Sequence, residues 1–359
     1  ESLQTAGYTT FGLVTNFNVA AFFNFHQGFD HYTFLEPNFV LGANDTAAKL
    51  LVMQFVRQRM EGLGWVEPGS AYQDAEVVNA ALLDFYDREV KGPRYAFVGY
   101  MDPHDPYYPH PYDGTGYSRA ANKNPKPEEA PALRKLYDGE IEFWDHHFGQ
   151  LIAALKERGL YDDMTIVITS DHGEEFMDHG GYWHGTTLYD EQVHVPLLVK
   201  LPGGQRAGQR IAHWVESVDI MPTLLRQNGL AVPEGVQGKG LMVASEAVFA
   251  EEDHEGNVLR ALRLKRGGTE LKVIEANPEN PRGLEPFELY RLDQDRDELV
   301  NLAHDRGAVL EVAATRLEQQ RKVAQVGQVE KRKVDVSQDQ GAAEKLRALG
   351  YAGGEDSAN

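Results

Sequence analysis

The chain predicts an α/β protein, with a mostly parallel sheet sandwiched by helices and a small C-terminal antiparallel α+β subdomain. Three observations carry this. Short apolar runs alternate with segments of helical periodicity over roughly the first two thirds of the chain. Beyond Gly235–Gly240, short strand-like segments follow one another without intervening helices. Between these regions, the apolar run Met164–Ile168 ends in Thr169-Ser170-Asp171-His172-Gly173-Glu174, and His184-Gly185-Thr186-Thr187-Leu188-Tyr189 follows. Open α/β sheets bind ligands at the carboxyl ends of their strands, so this polar stretch is a candidate site.

The elements follow in order. Glu1–Tyr8 reads as the end of a helix stopped by Gly7, and Tyr8–Thr15 as a strand. An aromatic segment ends in Gln27-Gly28-Phe29-Asp30. Helices are predicted over Asp45–Met60, capped by Asn44 or Asp45, and over Tyr72–Val90. Strand Tyr95–Met101 leads into Asp102-Pro103-His104-Asp105-Pro106 and a Pro/Gly/Asn-rich loop, Tyr107–Pro127. Its tyrosines fit loop anchors better than a platform for a sugar ring. Leu133, Tyr137, Ile141, Trp144, Phe148, Leu151 and Leu155 then recur at helical spacing, which predicts a long helix with a core-facing stripe. Strands Met164–Ser170 and Val195–Lys200 are expected to join the parallel sheet. Ala247–Glu251, Leu259–Lys265, Glu270–Glu275 and Phe287–Arg291 read as the antiparallel strands. Val323–Lys345 alternates charges and reads as an exposed helix or linker, and Asp356–Asn359 as a frayed end.

Composition narrows the function. The 359 residues carry a net charge of -20, from 55 acids against 35 bases. This disfavours nonspecific nucleic-acid binding and docking to anionic membrane surfaces. An anionic substrate would need local positive charge, from a cation and from His or Lys. The cysteine count is zero, which excludes disulfides, Cys-based zinc sites and a thiol nucleophile. No apolar run is long enough to span a bilayer. Compartment and oligomeric state are not fixed by the sequence.

Asp171 and His172 place a carboxylate beside an imidazole, a pair suited to a divalent cation. His184, within Gly180-Gly181-Tyr182-Trp183-His184-Gly185, could bind an ester oxyanion or protonate a leaving alkoxide. His104 is fenced by Pro103 and Pro106, and by itself fits a surface-loop imidazole equally well. Asp102 and Asp105 read as turn acids, and His179 as a supporting residue; Glu174 and Glu175 could be acceptors that orient imidazoles, but fit solvated loop acids better. His146 and His147 read as structural. Asn44-Asp45-Thr46 fits a glycosylation sequon as well as a helix cap.

Several segments, in order, resemble the sulfatase family of the alkaline phosphatase-like superfamily. They are Ala6-Gly7-Tyr8-Thr9-Thr10 with Gln27-Gly28-Phe29-Asp30, Leu136–Ile141 with Trp144-Asp145, and Ser170–Glu174. Val195–Leu198, Val218–Leu225, Glu288–Leu292 with Glu298–Leu302, and Leu346–Tyr351 complete the series. The resemblance implies an α/β catalytic domain over 1–240 with its N-terminal part missing. It is followed by an antiparallel-sheet subdomain over 241–302 and a helical, charged tail over 303–359.

By that resemblance Asp171 and His172 ligate a divalent metal, with calcium expected first and zinc, manganese or magnesium as alternatives. His184 takes a position where some sulfatases carry a sulfate-touching Lys. His104 matches a family His near the scissile oxygen. Both are thereby implied in catalysis and substrate binding. Many relatives have Asp-Asn where this chain has Asp171-His172, and phosphatase and phosphodiesterase cousins pair Asp-His with zinc or manganese. The family nucleophile is a formylglycine made from Cys or Ser in Cys/Ser-x-Pro-x-Arg. The chain contains no such motif, so the nucleophile is expected upstream of Glu1 and the span alone is expected to be inactive.

Three functions follow. The first is hydrolysis of a sulfuric ester on a sulfated small molecule or carbohydrate. The second is phosphoester or phosphonate hydrolysis, or phosphotransfer, on the same scaffold. The third is a non-catalytic fragment or binding module. A periplasmic, extracellular or lysosome-like compartment is compatible with each.

Overall fold

β1 (Thr9–Val14) is the central strand of a parallel sheet, between β2 (His31–Phe34) and β3 (Arg94–Gly99). The computed structural model describes residues 1–36, 60, 73–88, 91–113, 115–119 and 122–326. They form two compact units, one ending at Asp162 and one beginning at Asp163.

In the first unit, Phe11, Leu13 and Val14 of β1 are almost wholly buried, as expected for a parallel strand covered on both faces. Its register pairs Phe11 with both His31 and Ala96. Asp30 fixes the start of β2 because its carboxylate accepts from the Thr10 backbone N–H at 2.8 Å and the Thr10 hydroxyl at 2.9 Å. The aromatic richness before Asp30 gives no sign of this short strand, which tertiary pairing supplies.

The helix over Ala75–Asp87 is capped by Asp74, whose side chain accepts from the Val77 N–H. Its Phe85 stacks on Phe11 with ring centroids 4.4 Å apart. The long helix spans Ala130–Glu157. Leu133, Leu151 and Leu155 are buried, whereas Ile141 is 41% exposed, so the predicted stripe is core at the helix ends but not throughout. The middle turns instead bury Glu140, which accepts from the Tyr108 backbone N–H at 2.6 Å and pairs with His110 Nε2 at 2.8 Å. Tyr107 and Tyr108 are buried, which makes them anchors of their loop.

In the second unit, β4 (Ile166–Thr169) pairs with β7 (Leu197–Lys200). The pairing is antiparallel, from Ile166 opposite Lys200 to Thr169 opposite Leu197, which corrects the parallel arrangement predicted for these strands. A parallel neighbour needs a crossover, usually a full helix. Here the connection holds only the hairpin β5 (Glu175–Phe176) and β6 (Tyr182–Trp183), then one helical turn, Asp190–Val193.

A helix follows over Ile220–Gln227. Just before it, buried Asp219 accepts from the Lys239 and Gly240 N–H groups at 2.6 and 3.0 Å, tying down the segment after the helix. Next comes an antiparallel sheet of β8 (Ala247–His254), β9 (Asn257–Arg266), β10 (Thr269–Ala276) and β11 (Phe287–Arg291), in the order β11-β10-β9-β8. Strand alternation divides its side chains between two faces. Leu262, Leu264, Leu271, Val273 and Leu289 pack with Ala313 and Leu317 of the helix Gly307–Ala324. The opposite face carries Leu259, Ala261, Ile274 and Tyr290, and packs on Leu188 and Tyr189 of the candidate-site loop.

The fold is therefore α/β, with a parallel sheet, helices and a C-terminal antiparallel sheet region. No described helix is long and apolar enough to cross a membrane. The helix expected over Asp45–Met60 and its cap lie outside the described residues, apart from Met60. So do most of Val323–Lys345 and all of Leu346–Asn359.

Candidate active site

The loop that leaves β4 is built by backbone contacts. Ser170 Oγ donates to the His172 carbonyl at 2.6 Å, and the His172 N–H donates to Asp171 Oδ1 at 3.1 Å. The Gly173 and Glu174 N–H groups then donate to the Gln192 and Glu191 carbonyls at 2.8 and 3.0 Å. A Cβ at Gly173 would run into the Glu191 carbonyl oxygen, so this close approach requires glycine.

Three of the predicted site residues come together here. His172 and His184 stack with ring centroids 3.8 Å apart and an interplanar angle of 22°. Asp171 Oδ1 lies 3.7 Å from His172 Nε2. The Asp171 side chain is 88% exposed, and that of His172 is 33% exposed.

The rings are held from behind. His172 Nδ1 lies 2.8 Å from the Gly173 carbonyl oxygen. A carbonyl can only accept, so Nδ1 carries the hydrogen and a neutral ring keeps its lone pair on Nε2. His184 Nδ1 lies 3.1 and 3.4 Å from the two carboxylate oxygens of Glu174.

The donor set fits two ligands of a divalent cation, one carboxylate oxygen and one imidazole nitrogen with its other nitrogen already bonded. Oxygen suits calcium, magnesium or manganese, and imidazole suits zinc. Among the described residues, no group of three or more His, Asp or Glu is gathered to hold a metal.

Glu174 and Glu175 depart from the solvated reading, since their side chains are buried. Glu175 accepts from the Gly181 N–H at 2.8 Å and from Gln192 Nε2 at 3.0 Å, and pairs with Arg282 at 2.5 Å. Burial raises its pKa against the opposing pull of Arg282. Arg282 crowds Gly181 so closely that a Cβ there would meet its guanidinium.

His179 turns away from the stack. Its Nδ1 lies 2.7 Å from Glu191 Oε1, its Nε2 lies 3.2 Å from the Glu298 carbonyl oxygen, and its ring stacks on Tyr189. Both partners are acceptors that favour N–H on the ring nitrogens, and the ring braces the loop. Burial pulls its pKa down, but Glu191 and Glu298 outweigh this and the net shift is upward.

The C-terminal sheet supplies residues that sequence reading missed. Buried Lys272 on β10 donates to Asp190 Oδ1 and forms an ion pair with Glu298 Oε1, each at 2.8 Å. Arg263 on β9 adds a second contact to Asp190 at 3.1 Å. Burial alone would raise the Asp190 pKa, but these two cations hold it below the usual carboxylate value. Glu288 on β11 accepts from the Tyr189 and Tyr290 hydroxyls at 2.7 and 3.0 Å. The available signal was a charged residue at an inward position of an apolar strand, namely Lys272 between Leu271 and Val273 and Glu288 before Leu289.

His104 belongs to the first unit, in the turn after β3. Its Nδ1 lies 2.7 Å from the Asp105 carbonyl oxygen. Asp105 is a turn acid as read from sequence, since its carboxylate accepts from the Arg119 N–H at 3.0 Å. Asp102 is not a solvated turn acid. Its Oδ2 is buried and meets no hydrogen-bond partner among the described residues. Burial, with Glu140 and Asp74 nearby, pushes its pKa up to about 7.

The parallel sheet with helices and the C-terminal antiparallel sheet are features shared with solved sulfatase structures. The Sulfatase family profile matches residues 1–230, and the chain belongs to that family. It is 30% identical to arylsulfatase K of Bos taurus over 169 residues, 47% of this chain and 30% of that protein. It is 38% identical to the multifunctional alkaline phosphatase superfamily protein PehA of Trinickia caryophylli over 116 residues, 32% of this chain and 22% of that protein. The match thus spans about a third or less of each relative's length. A solved structure in complex with its substrate D-glucosamine-2-N,6-O-disulfate superposes with TM-score 0.65 at 16% identity, covering 92% of this chain and 83% of that one. A 2-O GAG sulfatase superposes with TM-score 0.55 at 18% identity, covering 90% and 73%. At these identities the structural likeness concerns the fold.

Proposed function

We propose that this chain is part of a sulfuric ester hydrolase acting on a sulfated small molecule or carbohydrate. The observation that carries the reading is the His172–His184 stack beside Asp171, inside a chain of the Sulfatase family. His184, its Nδ1 held from behind, and the cation that Asp171 and His172 would hold give a chain of net charge -20 local positive charge for an anionic ester.

Asp171 and His172 Nε2 would hold the divalent metal, calcium first, with zinc, manganese or magnesium as alternatives. Such a cation, when bound, offsets charge on the ester oxygens and on the nucleophile. His184 presents Nε2 to the ester, where a protonated ring donates a charge-assisted hydrogen bond to a sulfate oxygen. As the bond from sulfur to the alcohol oxygen breaks, a proton passes from His184 or His104 to the departing alkoxide. The nucleophile in this reading is a formylglycine, which these 359 residues do not contain because they have no Cys and no Ser-x-Pro-x-Arg. The span alone is therefore proposed to be inactive.

A second reading, phosphoester or phosphonate hydrolysis, draws on the Asp171-His172 pair and on the likeness to the multifunctional protein PehA. Assays of the full-length protein on aryl sulfates and aryl phosphates with matched leaving groups separate the two. Faster sulfate release supports the first reading. Phosphate release with silent sulfates selects the second, and silence on both panels leaves a binding module.

A further inference from the structure

Glu174 is buried, follows the Asp171-His172-Gly173 turn directly, and faces His184 with both carboxylate oxygens. The preceding carbonyl, that of Gly173, faces the Nδ1 of the partner ring. Successive residues of one turn thus supply the acceptor behind each member of the stack. The Glu174 backbone is itself fixed, since its N–H donates to the Glu191 carbonyl at 3.0 Å. Its side chain is only 3% exposed, which leaves the carboxylate little room to follow a rotating ring.

We infer that Glu174 is the positioning residue of His184. It holds the hydrogen on Nδ1, keeps the ring stacked on His172 and thereby aims Nε2 at the substrate. An imidazole without a fixed acceptor samples two tautomers and can flip about its χ2 torsion. A flip would replace Nε2 with Nδ1 at the reacting position, and a change of tautomer would move the hydrogen from Nδ1 to Nε2. The carboxylate acts through His184 and does not touch the ester. This inference rests on the proposed role of His184, and its test includes a readout that is independent of activity.

The experiment compares the parent with Glu174→Ala and Glu174→Gln in the full-length protein. Nitrogen-15 shifts of the His184 ring are recorded in metal-free protein, alongside kcat, KM and metal content. The expected result is a single Nδ1–H tautomer for His184 in the parent and a tautomer mixture in Glu174→Ala. Turnover in Glu174→Ala falls about tenfold or more, with KM and metal content less affected. Glu174→Gln keeps an acceptor oxygen, so it restores the Nδ1–H tautomer and part of the lost turnover. If Glu174→Ala does not fold, the Gln variant and the parent spectrum still decide. An unchanged His184 tautomer in Glu174→Ala overturns the inference, as does a parent ring protonated on Nε2 alone or a Gln variant with mixed tautomers. A parent that is silent on sulfates but shows the expected spectra refutes the proposed activity and leaves this inference standing.

Discussion

His172 and His184, twelve positions apart in the chain, lie face to face with ring centroids 3.8 Å apart. The contact unites the two His-Gly motifs of the loop and places a candidate metal ligand directly against a candidate substrate-binding group. The hairpin β5–β6 makes this contact by folding the chain back between the two motifs.

His184→Ala removes the donor proposed for the ester. In the full-length protein, kcat is expected to fall about tenfold or more, within the usual range for losing a general acid. Metal content should remain that of the parent. Unchanged turnover on a confirmed substrate would remove His184 from the site.

Asp171→Ala takes away the exposed carboxylate beside His172 Nε2. Elemental analysis of the purified full-length variant should find the metal lost. A variant that holds as much metal as the parent refutes the ligand assignment.

Lys272→Met leaves Asp190 and Glu298 without their shared buried cation. Removing one partner of a buried ion pair costs about 3–5 kcal/mol. Urea unfolding should register a loss of that order, and chymotryptic nicking within residues 174–192 should accelerate. A variant as stable as the parent would show that apolar packing alone holds the loop.

Asp102 gives a pH dependence of defined sign. Its folded pKa of about 7 lies above the ordinary 3.8, so the folded protein holds a proton that the unfolded chain releases. Its stability cost is absent below the unfolded value, grows as pH rises towards about 7, and is complete above that. Asp102→Asn should therefore gain about 2–4 kcal/mol over the parent at pH 8 and little near pH 4. Unfolding curves for both proteins across this range check the slope, and a gain that is flat with pH would contradict it.

Much of the fold was legible because it follows from local periodicity. β1, the helices at Ala75–Asp87 and Ala130–Glu157, and all four strands of the C-terminal sheet fall where the apolar pattern puts them. Asp171, His172 and His184 were legible as candidates because Gly-rich turns after an apolar strand are unusual places for paired acids and imidazoles. The direction of β7 was not legible, because apolar alternation carries no sign for strand polarity. That sign came from the connection, which holds a two-stranded hairpin and one helical turn and no crossover helix.

The chain's order of residues by itself determined its α/β class, its acidic charge, its lack of thiol chemistry and the loop that carries the imidazoles. Tertiary structure alone decided which acids of that loop are solvated and which are buried. Glu174 and Glu175 look alike in sequence, yet one backs His184 and the other pairs with Arg282. The physical reason is that burial and ion pairing depend on partners far along the chain. The Arg282 partner lies 107 residues from Glu175, and no local pattern encodes that distance.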